Sequence, residues 1–175
     1  MIVGFKGGPR IKEVGPRFDM WAFFEAVAEK LENDDLGSRF PLVGDRLYKR
    51  YIRLEEMESV KEEMDIIKSE LEKIYLDNWL ETKLEPDETI EKMGTRLNLK
   101  AENLADLFEP FFSGFYKTYE TALFFHKEDN EYYPLKIVYT DLPYYAFDKR
   151  RPLEDYENLE GDPFWLRPPE PPTRV

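Results

Sequence analysis

The chain has 175 residues, 42% of them hydrophobic and 15% aromatic, which suits one domain with a substantial core and excludes global disorder. Asp plus Glu number 37 against 25 Lys plus Arg, a formal charge of −12, so direct binding of nucleic-acid phosphates or anionic lipid is disfavoured, while a basic protein surface would be attracted; solubility alone is the other reading of this acidity. With no Cys there are no disulfides and no thiolate chemistry. No apolar run reaches the roughly 20 residues that span a bilayer, and Met1–Lys6 is not a cationic region leading into an apolar signal core, so the expected location is the cytoplasm.

In chain order, Met1–Phe5 reads as a short strand, Gly7-Gly8-Pro9 as a turn, and Arg10–Val14, alternating polar and apolar, as its half-buried partner. Gly15-Pro16 closes the hairpin. The glycine pair is not a phosphate loop, because the strand–GxxxxGK[ST]–helix arrangement is missing. A helix is predicted from about Asp19, a candidate N-cap, to Glu32, with Phe23, Phe24, Val27, Ala28 and Leu31 on one face and Trp21 to one side. Asn33-Asp34-Asp35 and Gly37 end it. Asp34 and Asp35 lack the alternating ligands and distal Glu of a calcium loop and read as solvated. Gly37-Ser38-Arg39-Phe40-Pro41 is a compact loop with Phe40 turned inward, and Leu42–Tyr51 is a short helix anchored by Leu47, Tyr48 and Tyr51.

Leu54–Leu76 is the most legible stretch. Leu54, Met57, Val60, Met64, Ile67, Leu71 and Ile74 recur at spacings of three and four, which places them on one stripe of an uninterrupted helix. Glu55, Glu56, Glu58, Glu62, Glu63, Asp65, Glu70 and Glu72 fall off that stripe, crowded toward the N-terminal half, where the helix dipole favours negative charge. A polar region follows, with a second helix start expected at Asp87 and a break at Gly94. Ala101–Phe108 reads as helix, and Pro110 interrupts the pattern. Phe111–Phe125 resumes it, yet Leu123–Phe125 also fits a hairpin with Ile137–Tyr139; both remain open. Tyr132–Tyr139 is a strand candidate and Tyr144–Phe147 a shorter one. The expected fold is therefore α+β: a mainly helical single domain over 1–150, with an N-terminal β-hairpin and one or two C-terminal strands forming a small sheet. Residues 151–175 form a Pro-rich tail packed on the body through Phe164 and Trp165.

No catalytic, metal or nucleotide motif emerges. His126, the single histidine, precedes Lys127-Glu128-Asp129-Asn130-Glu131 and reads as an exposed turn residue, with no paired spacing for a metal. Ser38, Ser59, Ser69 and Ser113 lie outside any GxSxG elbow. Lys149-Arg150-Arg151 is too short and too balanced by acids for nucleic-acid binding. The enzymatic alternative is an aromatic pocket around Phe112, Tyr116, His126 and Tyr144, and a scaffold alternative rests on the Pro-rich tail recruiting a groove-bearing partner.

One series of short motifs is more specific. Ile2-Val3-Gly4-Phe5-Lys6, Phe23-Phe24, Leu31-Glu32, Gly37-Ser38-Arg39-Phe40-Pro41 and Leu47-Tyr48 occur in this order ahead of a long charged helix. Over residues 1–76 this resembles the bacterial polymorphic-toxin immunity proteins, in particular the immunity protein 70 family. The resemblance implies a non-enzymatic inhibitor that binds a cognate toxin domain, such as a nuclease with a basic groove; on the residues, neither cofactor nor metal is expected. An acidic protein would be steered to such a groove. Asp34, Asp35, Arg39, Glu55, Glu56 and Glu58 are then the candidate toxin contacts, against the alternative that they are ordinary solvated charges.

Overall fold

A computed structural model describes residues 2–129, 134–139, 153–157 and 159–167. Tyr144, the strand candidate at 144–147, the basic cluster at 149–151 and the prolines from 168 onward lie outside the described residues. The first elements follow from the alternating pattern at the N-terminus. β1 (Ile2–Lys6) pairs antiparallel with β2 (Ile11–Pro16), and β3 (Lys136–Tyr139) pairs antiparallel with the other edge of β1, giving the order β2-β1-β3. The predicted hairpin and C-terminal strand are both present, and the class is α+β.

Pro16 is extended (φ −61°, ψ 161°) and leads straight into helix α1 (Arg17–Leu31). The helix thus starts two residues before the predicted cap. Asp19 does not cap it; it lies in the first turn, fully buried, and accepts hydrogen bonds from the Thr95 hydroxyl at 2.6 Å and the Arg96 N–H at 2.7 Å. Burial pushes its carboxyl pKa up, and those two bonds oppose the rise. Gly15 is needed beside it, because a Cβ there would stand 2.4 Å from the carboxylate.

Helix α2 (Met57–Leu71) follows a 3₁₀ turn at Leu54–Glu56. Met57, Val60, Met64, Ile67 and Leu71 are its buried stripe, as their spacing predicts. The helix ends short of Leu76 because the next backbone groups bond elsewhere. The Leu104 N–H donates to the Ile74 carbonyl at 3.0 Å and the Leu76 N–H to the Glu102 carbonyl at 2.8 Å. Leu54 and Ile74, the outer members of the predicted stripe, therefore lie outside the α-helix and are only half-buried.

Short helices α3 (Ile90–Met93) and α4 (Leu104–Leu107) come next, capped by Thr89 and Asn103. The first begins three residues after the expected start at Asp87, where the Thr89 hydroxyl accepts from the Lys92 N–H. Helix α5 (Glu109–Asp129) then runs unbroken and decides between the two readings of residues 111–125 in favour of helix. Pro110 does not interrupt it: in the first turn an N–H has no intrahelical partner, so its loss costs nothing. His126 lies in the last turn of this helix, half-buried, not in an exposed turn. No described helix is long and apolar enough to cross a membrane.

The core joins these elements through aromatic rings. Phe23 of α1 stacks on Phe111 of α5 with centroids 3.5 Å apart and meets Phe24, Phe108 and Phe112 edge-on. Phe5 of β1 meets Phe111 and Phe115 from the sheet side. Such edge-to-face pairs add about 0.5–1.5 kcal/mol each beyond their buried area.

The last described elements are α6 (Leu153–Glu157) and a 3₁₀ turn at Phe164–Leu166. Trp165 is buried against Phe24 and Tyr48, and its indole N–H donates to the Tyr48 carbonyl at 2.9 Å.

Between α1 and α2 the predicted short helix is a π-helical turn (Leu42–Leu47). Its Gly44 touches the backbone of Gly37, which holds a φ of +90°. A Cβ on Gly44 would stand 2.4 Å from the Gly37 nitrogen. Gly44→Ala is expected to destabilise the protein by about 1–3 kcal/mol through overpacking, read as a lower denaturation midpoint in urea.

Candidate functional site

Three glutamates at heptad spacing, Glu56, Glu63 and Glu70, face the segment from Arg39 to Arg46. Seven residues are close to two helical turns, so such side chains return to one face. Glu70 receives the Arg39 guanidinium in a fork at 2.7 and 2.6 Å. Glu63 accepts from the Leu42 N–H at 3.1 Å and the Val43 N–H at 3.2 Å, satisfying donors at the start of the π-helical turn. Glu56 stands 3.5 Å from Arg46 and also accepts from the Arg53 N–H at 3.0 Å. The segment thus runs antiparallel to α2, tied at three levels. Burial raises the Glu63 pKa, the two amide bonds oppose this, and the charge of Glu32 adds to the rise.

Glu32 holds the same segment from the α1 side. One of its oxygens accepts from the backbone N–H groups of Gly37 at 3.0 Å, Arg39 at 2.8 Å and Phe40 at 3.1 Å, and the residue is 3% exposed. The Gly-Ser-Arg-Phe-Pro loop is therefore a nest of amides closed on one carboxylate. Phe40 is buried beneath it, as predicted, and the Arg39 guanidinium lies over the Phe40 ring.

This geometry sorts the predicted contact residues. Arg39 and Glu56 are engaged inside the molecule. Asp34, Asp35, Glu55 and Glu58 are exposed and form no ion pair among the described residues. The two groups are apart: Asp34 and Asp35 share the loop of Arg39, near the Glu70 end of α2, while Glu55 and Glu58 flank the other end. The twelve residues from Glu58 to Glu70 correspond to about 18 Å of helix. Glu62, also exposed, continues the outward face of α2 toward Ile66, which is 46% exposed.

Among the described residues the competing pocket is not brought together: Phe112 and Tyr116 line one hollow, and His126 is not part of it. Phe112 and Tyr116 are neighbours on α5, but Phe112 is buried in the core and the Tyr116 hydroxyl donates to Asp65 of α2 at 2.6 Å. His126 lies ten residues beyond Tyr116, about 15 Å along the same helix. Tyr144 is outside the described residues. Among the described residues no group of three or more His, Asp or Glu side chains could hold a metal ion.

A second clasp closes on Glu157 of α6. Arg46 forks onto its carboxylate at 2.8 and 2.8 Å, Arg53 adds a third contact, and the Arg50 guanidinium donates to the Glu157 carbonyl. Arg46 foremost, with Tyr51 and Arg53, holds the Glu157 pKa at about 2, below its ordinary 4.5. A depressed carboxylate pKa stabilises the fold fully above the unfolded value and loses that contribution as pH falls through the folded one. Glu157→Gln should therefore be less stable than wild type at pH 6. The difference between the two should begin to shrink below about pH 4.5 and vanish near pH 2, as measured by urea midpoints across that range. Glu63→Ala should cost about 1–3 kcal/mol at neutral pH, because two amides lose their acceptor, by the same measurement.

The sequence profile of the family described as Immunity protein 70 matches residues 5–122. No curated protein and no solved structure matches the chain. The matched residues take in most of the hairpin, α1, the Glu32 loop, the π-helical turn, α2 and two thirds of α5, well past residue 76, where the motif resemblance stops; β3, α6 and Trp165 lie beyond them. The match covers well over half of the 175 residues, and the chain belongs to the Immunity protein 70 family.

Proposed function

We propose that this chain binds a cognate toxin domain and neutralises it by covering its active or substrate-binding surface. The family assignment points to a toxin immunity protein acting as a non-catalytic inhibitor. The observation that supports a mode of action is the outward face of α2. Glu55, Glu58 and Glu62 stand there without cationic partners among the described residues, beside the exposed Ile66. The opposite side of the helix is locked by its buried stripe and by the glutamates that grip residues 39–46. The acids are thus displayed on a rigid element, so little ordering entropy is lost on docking.

In this reading the partner surface is basic, as the substrate groove of a nuclease toxin would be, and no nucleic acid is bound directly. Asp34 and Asp35 supply a second acidic point of contact, while Arg39 and Glu56 act through the framework that shapes the surface. Residues 1–150 serve as one body, and 151–175 as its packed tail.

The test is binding of a purified candidate toxin domain taken from the neighbouring genes, followed by biolayer interferometry. Wild type should form a complex and abolish toxin activity. Reversing Glu55, Glu58 and Glu62 together to Lys should slow association at least tenfold and flatten its salt dependence, since surface charges act mainly through steering. Unchanged association would sink the acidic-face assignment. Absence of any wild-type complex at micromolar concentration would sink the immunity reading itself.

A further inference from the structure

The hairpin turn and the C-terminal half of α5 enclose a groove of about 620 Å³ that the acidic face does not use. Its shape begins with the two glycines of the turn. A Cβ on Gly7 would stand 2.9 Å from the Thr118 methyl, and one on Gly8 2.9 Å from the Thr121 methyl. Their absence lets the turn lie directly on α5. Lys12 is the cross-strand partner of Phe5, which packs on α5, so Lys12 faces the same helix. Arg10, Lys12 and Lys117 stand around the groove, and Phe124 and Phe125 line its apolar part. Phe124 is 58% exposed, among the most exposed large apolar side chains described.

Charge makes this groove unusual for the molecule. In a chain of formal charge −12, the other described arginines and several lysines are tied to carboxylates, carbonyls or rings. Arg10, Lys12 and Lys117 form no ion pair among the described residues, and Glu120 is the single acid lining the groove. Three unmatched cations around an exposed phenylalanine call for a ligand with the converse pattern: carboxylates flanking an apolar side chain. A polyanion such as nucleic acid would meet the repulsion of the whole acidic surface, and it would leave the phenylalanine without an apolar partner. A short acidic segment of a protein meets neither objection.

We infer that this groove receives an acidic segment, carrying an apolar anchor, of the toxin partner. This assignment rests on the immunity reading above and adds a contact of opposite sign to it. The two surfaces meet at the α2–α5 seam: Tyr116 bonds to Asp65 of α2, and the next residue, Lys117, lines the groove. An acidic face and a basic groove on either side of one seam would admit a partner in only one orientation.

The experiment uses the full chain and the same candidate toxin domain. Lys12→Glu with Lys117→Glu should weaken the complex at least tenfold while leaving the circular dichroism spectrum and melting temperature close to wild type. Arg10→Gln with Lys117→Gln, a milder pair, should weaken it less but measurably, and covers the case in which charge reversal disturbs the hairpin. With p-benzoylphenylalanine in place of Phe124, light should crosslink the toxin at a peptide holding Asp or Glu beside an apolar residue. A wild-type complex that both variant pairs leave intact, or a crosslink to a Lys- and Arg-rich peptide, overturns the groove assignment alone. Failure of wild type to bind the toxin overturns the immunity reading, and this inference with it.

Discussion

The burial of Glu32 and the partial burial of Glu63 govern the rest of this structure. Each carboxylate removes backbone donors from water and returns hydrogen bonds in exchange, on opposite sides of residues 37–43. A hydrogen bond to a charged group is worth about 1.5–3 kcal/mol, whereas an exposed ion pair adds about 0–1 kcal/mol. On those magnitudes the inner contacts of Glu32 and Glu63 hold the loop. The more exposed Arg39–Glu70 pair mainly sets its orientation. The Gly37–Gly44 contact is possible only because this loop is drawn tight against α1 and α2.

With the loop in place, α2 becomes a two-sided support. Its apolar stripe joins the core, each fully buried Leu, Ile, Val or Met there contributing about 1.5–3 kcal/mol. The glutamate row carries the loop, and what is left over faces water. The surface assigned to the toxin is thus what the framework does not consume. This explains why acids of the same type and nearly the same position, Glu55 and Glu56, have different surroundings, one facing water and the other bonded to Arg46 and the Arg53 N–H.

The C-terminal segment repeats this logic with the signs exchanged. Three arginines of the π-helical turn and its exit converge on Glu157, and Trp165 fills the gap beside Phe24 and Tyr48. These residues lie past the span shared with the family, yet they pack on the loop region within it. These three arginines are thereby occupied, whereas Arg10, Lys12 and Lys117 beside the hairpin turn form no ion pair among the described residues.

Local pattern carried a good part of this outcome. Alternation at residues 2–16 specified the hairpin, spacings of three and four specified the buried stripe of α2, and the order of short motifs pointed to the family. These are properties of neighbouring residues, decided by strand and helix periods. Helix limits at Leu71 and Pro110 were not legible in the same way, since one depends on backbone bonds to residues 102–104 and the other on which turn of a helix the proline occupies. The heptad of Glu56, Glu63 and Glu70 was present as a spacing but not as a role, because a glutamate at such a position is solvated unless something packs over it. The sequence by itself determined which residues could be buried and where charge was plentiful. Tertiary structure alone decided which charges were spent on holding the fold and which were left facing water, because that depends on contacts between segments distant along the chain.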